Sequence, residues 1–157
     1  MKSWIVRATG RLEWFAGALF LILFLLNMLR ILLRYFLGVA WLWEPDFSRL
    51  LFIWIVFIGS TVLYVGKGHL MVDYFLNRMG STTRERMHFI IDGVTAIFLA
   101  ILVLKGIEVT KVRMGIPFDT WDLPTGYAYV AVPICSAVMM IVTLLRMAEY
   151  LSGWRER

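Results

Sequence analysis

The sequence predicts an all-α integral membrane protein: four transmembrane helices, with a short interfacial amphipathic helix between the second and third. Three observations carry this reading. Of 157 residues, 61% are apolar and 17% charged, against about 45–50% and about 25% in soluble domains. Mean hydropathy is +0.76, which implies more apolar surface than a soluble domain of this size can bury. The apolar residues also fall into four runs, with basic residues gathered at the run ends, and each run is near the ~20 residues that cross a bilayer. Low hydrophobicity marks disordered chains, so intrinsic disorder is excluded. The length predicts a single membrane domain over residues 1–157.

The first span covers about residues 12–37 and contains the run FAGALFLILFLLNML. Lys2, Arg7 and Arg11 before it resemble the basic start of a signal peptide. The apolar stretch is too long for one, and Arg30 and Arg34 interrupt its end, so it reads as a retained span. The second span, about 47–65, follows Glu44 and Pro45, and a first-turn proline loses no hydrogen bond there. Gly59 and Ser60 inside it are small enough to let another helix approach. The third, about 87–104, is preceded by Thr82 and Glu85 at the spacing of a capping box. The fourth covers about 127–150. Pro124 can open it, and Pro133 inside it should kink it. Residues 68–80, GHLMVDYFLNRMG, are too few to span. His69, Asp73 and Asn77 recur every four residues above an apolar body, which predicts a helix lying on the inner leaflet, closed by Gly80.

The net charge is +5 and the isoelectric point about 9.7. The basic residues form no stripe, so nucleic-acid binding is not indicated. Orientation in anionic lipid explains them. With both termini in the cytoplasm, ten Lys and Arg lie inside and six outside, which predicts that orientation. Trp41, Trp43, Trp121, Tyr150 and Trp154 stand near span ends, as interfacial aromatics do. Cys135 is the single cysteine, which excludes a disulfide framework, a cysteine zinc site and a CxxC motif. No metalloprotease, nucleophile or phosphate-loop motif is present, so neither an enzyme nor a cofactor is expected.

Two groups of polar residues fall at membrane depth. Asn27, Arg30 and Arg34 share one stripe near the end of the first helix. The arginines can snorkel to the outer interface and pair with Glu44 or Asp46, meet a partner protein, or line an anion path. Asp92 lies near the inner end of the third span, on a stripe with His88 and Glu85. It is either a paired interhelical contact, with Lys67, Arg84 or Arg86 in reach, or an ion or proton site.

The stretch from Glu44 to Phe75 has further regularities. Glu44 and Arg49 open the second span. A W-x-x-F-x-G run follows at Trp54, Phe57 and Gly59, then a basic turn with Gly68, His69 and Asp73. Arg34 and Tyr35 end the first span, and Leu123, Pro124, Tyr129 and Pro133 form an L-P-x4-Y-x3-P pattern. With these motifs the chain resembles the DctQ-type small permease subunit of tripartite ATP-independent periplasmic (TRAP) transporters, over nearly its whole length. The resemblance implies a bacterial or archaeal inner-membrane complex. A large permease subunit would move substrate and sodium, and a periplasmic solute-binding protein would deliver an organic acid. The small subunit would be a scaffold that transports nothing alone. It also singles out Arg49, His69 and Asp73, beside Asn27, Arg30, Arg34, Glu44, Lys67 and Asp92, as partner-contact or structural residues. The alternative is a small four-helix exporter acting as a homo-oligomer, with Asp92 as its coupling acid.

Overall fold

A computed structural model describes the backbone of residues 2–67 and 81–155, and the side chains of residues 13–66 and 87–149. Helix α1, Lys2–Leu32, runs on into one π turn, Leu33–Leu37. Gly38 ends it in the left-handed region (φ 65°), its N–H bonded to the Leu33 carbonyl. Glycine reaches this conformation without a Cβ clash. Helix α2 is Glu44–Lys67, α3 is Ser81–Met114, α4 is the single turn Gly126–Tyr129, and α5 is Ala131–Arg155. The break between α4 and α5 lies at Val130. Pro133, just beyond it, has no N–H to offer the Tyr129 carbonyl.

Four segments are long and apolar enough to cross a membrane: Glu13–Leu37, Glu44–Gly66, Met87–Met114 and Gly126–Glu149. The third corrects the sequence reading, because α3 continues to Met114 instead of stopping at Leu104. Lys105 and Glu108 do not end the helix. They pair with each other one turn apart (2.7 Å) on its exposed side. At 1.5 Å per residue α3 is about 51 Å long, well beyond the ~30 Å hydrocarbon core. Residues 68–80, which include His69, Asp73 and Asn77, lie outside the described residues, as do the side chains of Lys67, Thr82 and Glu85.

The spanning helices form an open row. α1 packs on α2, α2 on α5, and α5 on α3. The core follows the middle of this row, where Leu51, Val62, Leu99, Ala128, Ala131, Cys135 and Met139 are buried. Thr61, Ser136 and Thr143 are buried with them. Their hydroxyls donate to the carbonyls one turn back, of Phe57, Val132 and Met139, so no buried donor is left unmade. None of the described side chains of α1 is buried.

Two glycines bring elements together. A Cβ on Gly106 would stand 3.1 Å from Val132 Cγ1 and 3.2 Å from Pro133, where α3 meets α5. A Cβ on Gly126 would stand 2.8 Å from Met114 Cγ and Sδ and 2.9 Å from the Met114 backbone nitrogen, where α4 folds onto the end of α3. Nothing of the described chain lies within 4 Å of the Cβ position of Gly59, so the close approaches within the described row are at Gly106 and Gly126.

Candidate functional site

The polar chemistry of the described residues concentrates at the end of the row that carries the α1–α2 and α3–α4 connections. Glu44 opens α2, where a carboxylate faces unpaired N–H groups and the positive end of the helix dipole. It is completely buried (0% exposed), and Arg30 Nη1 lies 2.8 Å from its Oε2. This contact is Coulombic: no donor is aligned as a hydrogen bond on Oε2. Oε1 accepts a 2.5 Å bond from the Ser48 hydroxyl. Asn27 Nδ2 donates to Ser48 Oγ (3.3 Å) and to the Leu23 carbonyl (3.0 Å). The network thus joins two positions one turn apart on α1 to two one turn apart on α2. Of the two arginines on the stripe, Arg30 meets Glu44. Arg34 is exposed and meets no acid among the described residues. The π turn that holds it also turns Tyr35 and Phe36 out of the row, at 82% and 81% exposure.

Asp46 pairs with neither arginine. Its Oδ2 accepts from the Thr120 N–H (3.0 Å) and hydroxyl (2.6 Å), which ties the start of α2 to the connection after α3. That connection is a narrow reversal. Phe118 N–H bonds to Leu123 O at 2.9 Å, and Thr125 N–H to Ile116 O at 2.8 Å. Phe47, Phe118, Trp121, Trp43 and Trp41 pack around it with ring centroids 5.5–6.3 Å apart. This aromatic end of the row has the composition of a membrane interface.

Arg49 Nη2 donates to the Tyr129 hydroxyl (2.9 Å), and Trp54 Nε1 to the Tyr127 carbonyl (3.2 Å). Both residues of the second-span motif thus reach α4. Toward the other end, Tyr64 and Thr143 share a 2.6 Å hydroxyl contact, and Arg146 donates to the Tyr64 carbonyl (3.0 Å). Asp92 is buried at 4% exposure and is not a free carboxylate. Sequence reasoning missed Ser48, Thr120 and Arg146 altogether.

No three of His, Cys, Asp or Glu among the described residues converge as metal ligands would. One cavity among the described residues, of about 480 Å³, is lined by Glu13, Trp14, Gly17, Ala18 and Leu21, all on one face of α1. It is an open groove, not a chamber between helices.

A family model described as "Tripartite ATP-independent periplasmic transporters, DctQ component" matches residues 23–153. The match takes in Arg30, Glu44, Arg49, Asp92, all of α3 and α4, and α5 up to residue 153. The chain is also similar to the "Sialic acid TRAP transporter permease protein SiaT" of Haemophilus influenzae (strain 86-028NP). Identity is 22% over 129 residues, covering 82% of this chain and 21% of that protein. The chain therefore spans about a fifth of the length of that curated relative. DctQ is a transporter component and not an enzyme family. Four membrane-spanning helices and a family match over most of its length place the chain in the DctQ family, as a small permease subunit of a TRAP transporter.

Proposed function

We propose that this subunit anchors and widens the large permease subunit of a sodium-coupled TRAP transporter, and that it transports nothing alone. The assembled transporter takes up an organic acid handed over by a periplasmic solute-binding protein. The subunit sits in the bacterial inner membrane among lipids, with both termini in the cytoplasm. The observation that carries the scaffold reading is the open row. Four helices side by side leave no described chamber for a charged substrate, and buried polar groups such as Glu44 and Asp46 are committed to structural partners. Among the described residues no broken helix presents its ends at mid-membrane, as transporter sites do. The name of the relative supports the cargo class, since sialic acid is an organic acid.

Two measurements test this. Tagged subunit should copurify with the large permease in mild detergent, and proteoliposomes should take up substrate only when both subunits and the binding protein are present. Uptake by the purified chain alone would overturn the scaffold reading in favour of a small exporter. Failure to copurify would also overturn it.

A further inference from the structure

We propose that Arg49, Arg113 and Tyr129 form a binding site for the phosphate of a phospholipid headgroup, in the leaflet at the aromatic end of the row. Two guanidinium groups from different helices lie near the Tyr129 ring. The Arg113 guanidinium carbon, from the last turn of α3, is 5.3 Å from the ring centroid, and that of Arg49 on α2 is 6.0 Å away. Arg49 also donates to the Tyr129 hydroxyl, which leaves the hydroxyl proton free to donate elsewhere. Among the described residues neither arginine meets a carboxylate, and the hydroxyl meets no acceptor. Two like charges and a spare O–H therefore gather about one ring, and none of the described residues supplies an anion to them. Cation–π attraction at such a site is weak and neutralises neither charge.

Three features select a lipid phosphate. The first is depth. Arg49 lies little more than one turn past Glu44, beside the Trp41, Trp43 and Trp121 cluster, at the level where headgroups meet the hydrocarbon. The second is access. Arg49 is exposed and Arg113 and Tyr129 are half-buried, so the site opens to the surroundings of the row. The third is what lies below. On α2, Phe52 and Val56 follow Arg49 on the same face and are 58% and 43% exposed. On α3, Val109 stands one turn before Arg113 and is also exposed. The α2 lane leads from the charges toward the bilayer centre, where acyl chains run, and a water-soluble anion would gain nothing from it; on α3 the same stripe reaches the Lys105–Glu108 pair one turn beyond Val109. Each guanidinium can grip a phosphodiester through two parallel N–H bonds.

The test uses the full purified chain in mild detergent. Its unfolding midpoint is followed while phosphatidylglycerol is titrated into the micelles, and native mass spectrometry counts the phospholipid retained. Parallel titrations use diacylglycerol with the same chains, which lacks phosphate, and inorganic phosphate, which lacks chains. Phosphatidylglycerol alone should raise the midpoint. R49Q/R113Q should weaken its apparent affinity roughly tenfold or more, and Y129F, which keeps the ring, should weaken it less. Unchanged midpoints without lipid show that the variants fold. If the double variant unfolds, R49Q supplies the same comparison. Wild-type lipid affinity in a folded variant overturns the proposal. An equal response to diacylglycerol or to inorganic phosphate overturns it as well. Loss of copurification with the large permease while lipid retention is unchanged assigns the arginines to a protein carboxylate, and overturns it too.

Discussion

Arg30→Gln and Glu44→Gln delete the same ion pair, yet the first should destabilise the chain far more. The asymmetry lies in exposure: the Glu44 side chain is 0% exposed and that of Arg30 37%. Without Arg30 the carboxylate remains buried, with the Ser48 hydroxyl as its hydrogen-bond donor. Breaking a buried pair from one side costs about 3–5 kcal/mol, and the part-exposed position of Arg30 places this case near the lower bound, about 3 kcal/mol. In E44Q the amide keeps the shape and can still bond Ser48, while Arg30 turns toward the interface. The lost attraction then resembles that of an exposed pair, about 1 kcal/mol. The double variant R30Q/E44Q buries no charge and should lose about 1–1.5 kcal/mol, not the roughly 4 kcal/mol of simple addition. Reversible unfolding in mixed micelles with increasing SDS, followed by helical circular dichroism, measures all four corners of the cycle. If E44Q matches or exceeds R30Q, or if the double variant is additive, the buried-carboxylate reasoning fails.

Gly126→Ala should destabilise more than Gly106→Ala in the same assay, by about 1–2 kcal/mol, although alanine is the better helix former at both sites. Its Cβ would run into the Met114 backbone at 2.9 Å, whereas the Gly106 Cβ meets Val132 and Pro133 at 3.1–3.2 Å. Equal costs would show that α4 shifts freely. In a Cys135→Ser background, a cysteine engineered at Asp122 should label from the periplasmic side and one at Arg78 should not; the reverse pattern inverts the proposed orientation. Asp92→Asn should leave substrate uptake measurable in the reconstituted transporter. Complete loss of uptake with assembly and substrate binding intact would make Asp92 a coupling acid.

The four spanning helices were legible because a bilayer demands long apolar runs. The end of α3 was not. Hydropathy counts Lys105 and Glu108 as breaks, whereas in a helix they stand one turn apart and neutralise each other. The π turn left only Gly38 as a trace, because hydrogen-bond register is not written in composition. Arg30 and Arg34, conspicuous at membrane depth, pointed to Glu44 or Asp46 a short way along the chain, beside a partner or an anion path, and of those acid pairs the described residues form Arg30–Glu44. Their bridge, Ser48, was invisible, since a helical serine has no fixed partner until its neighbours are placed. Asp46 to Thr120 and Arg49 to Tyr129 span 74 and 80 residues, a distance over which no local pattern operates. Gly106 and Gly126 outrank Gly59 only through which helices come close to them.

The order of helices in the row differs from their order along the chain, and this constrains biogenesis. As the polypeptide leaves the ribosome, α1 and α2 emerge first and can close at once as a hairpin, with Arg30 and Glu44 meeting across a short reversal. Helix α3 emerges next, but its main neighbour is α5, which is made after it. Until α5 inserts between α2 and α3, each of these two helices lacks a neighbour that it packs on. Insertion of α5 is therefore the step that joins a nascent hairpin to a solitary helix, and a chain released before it is a ready substrate for membrane quality control.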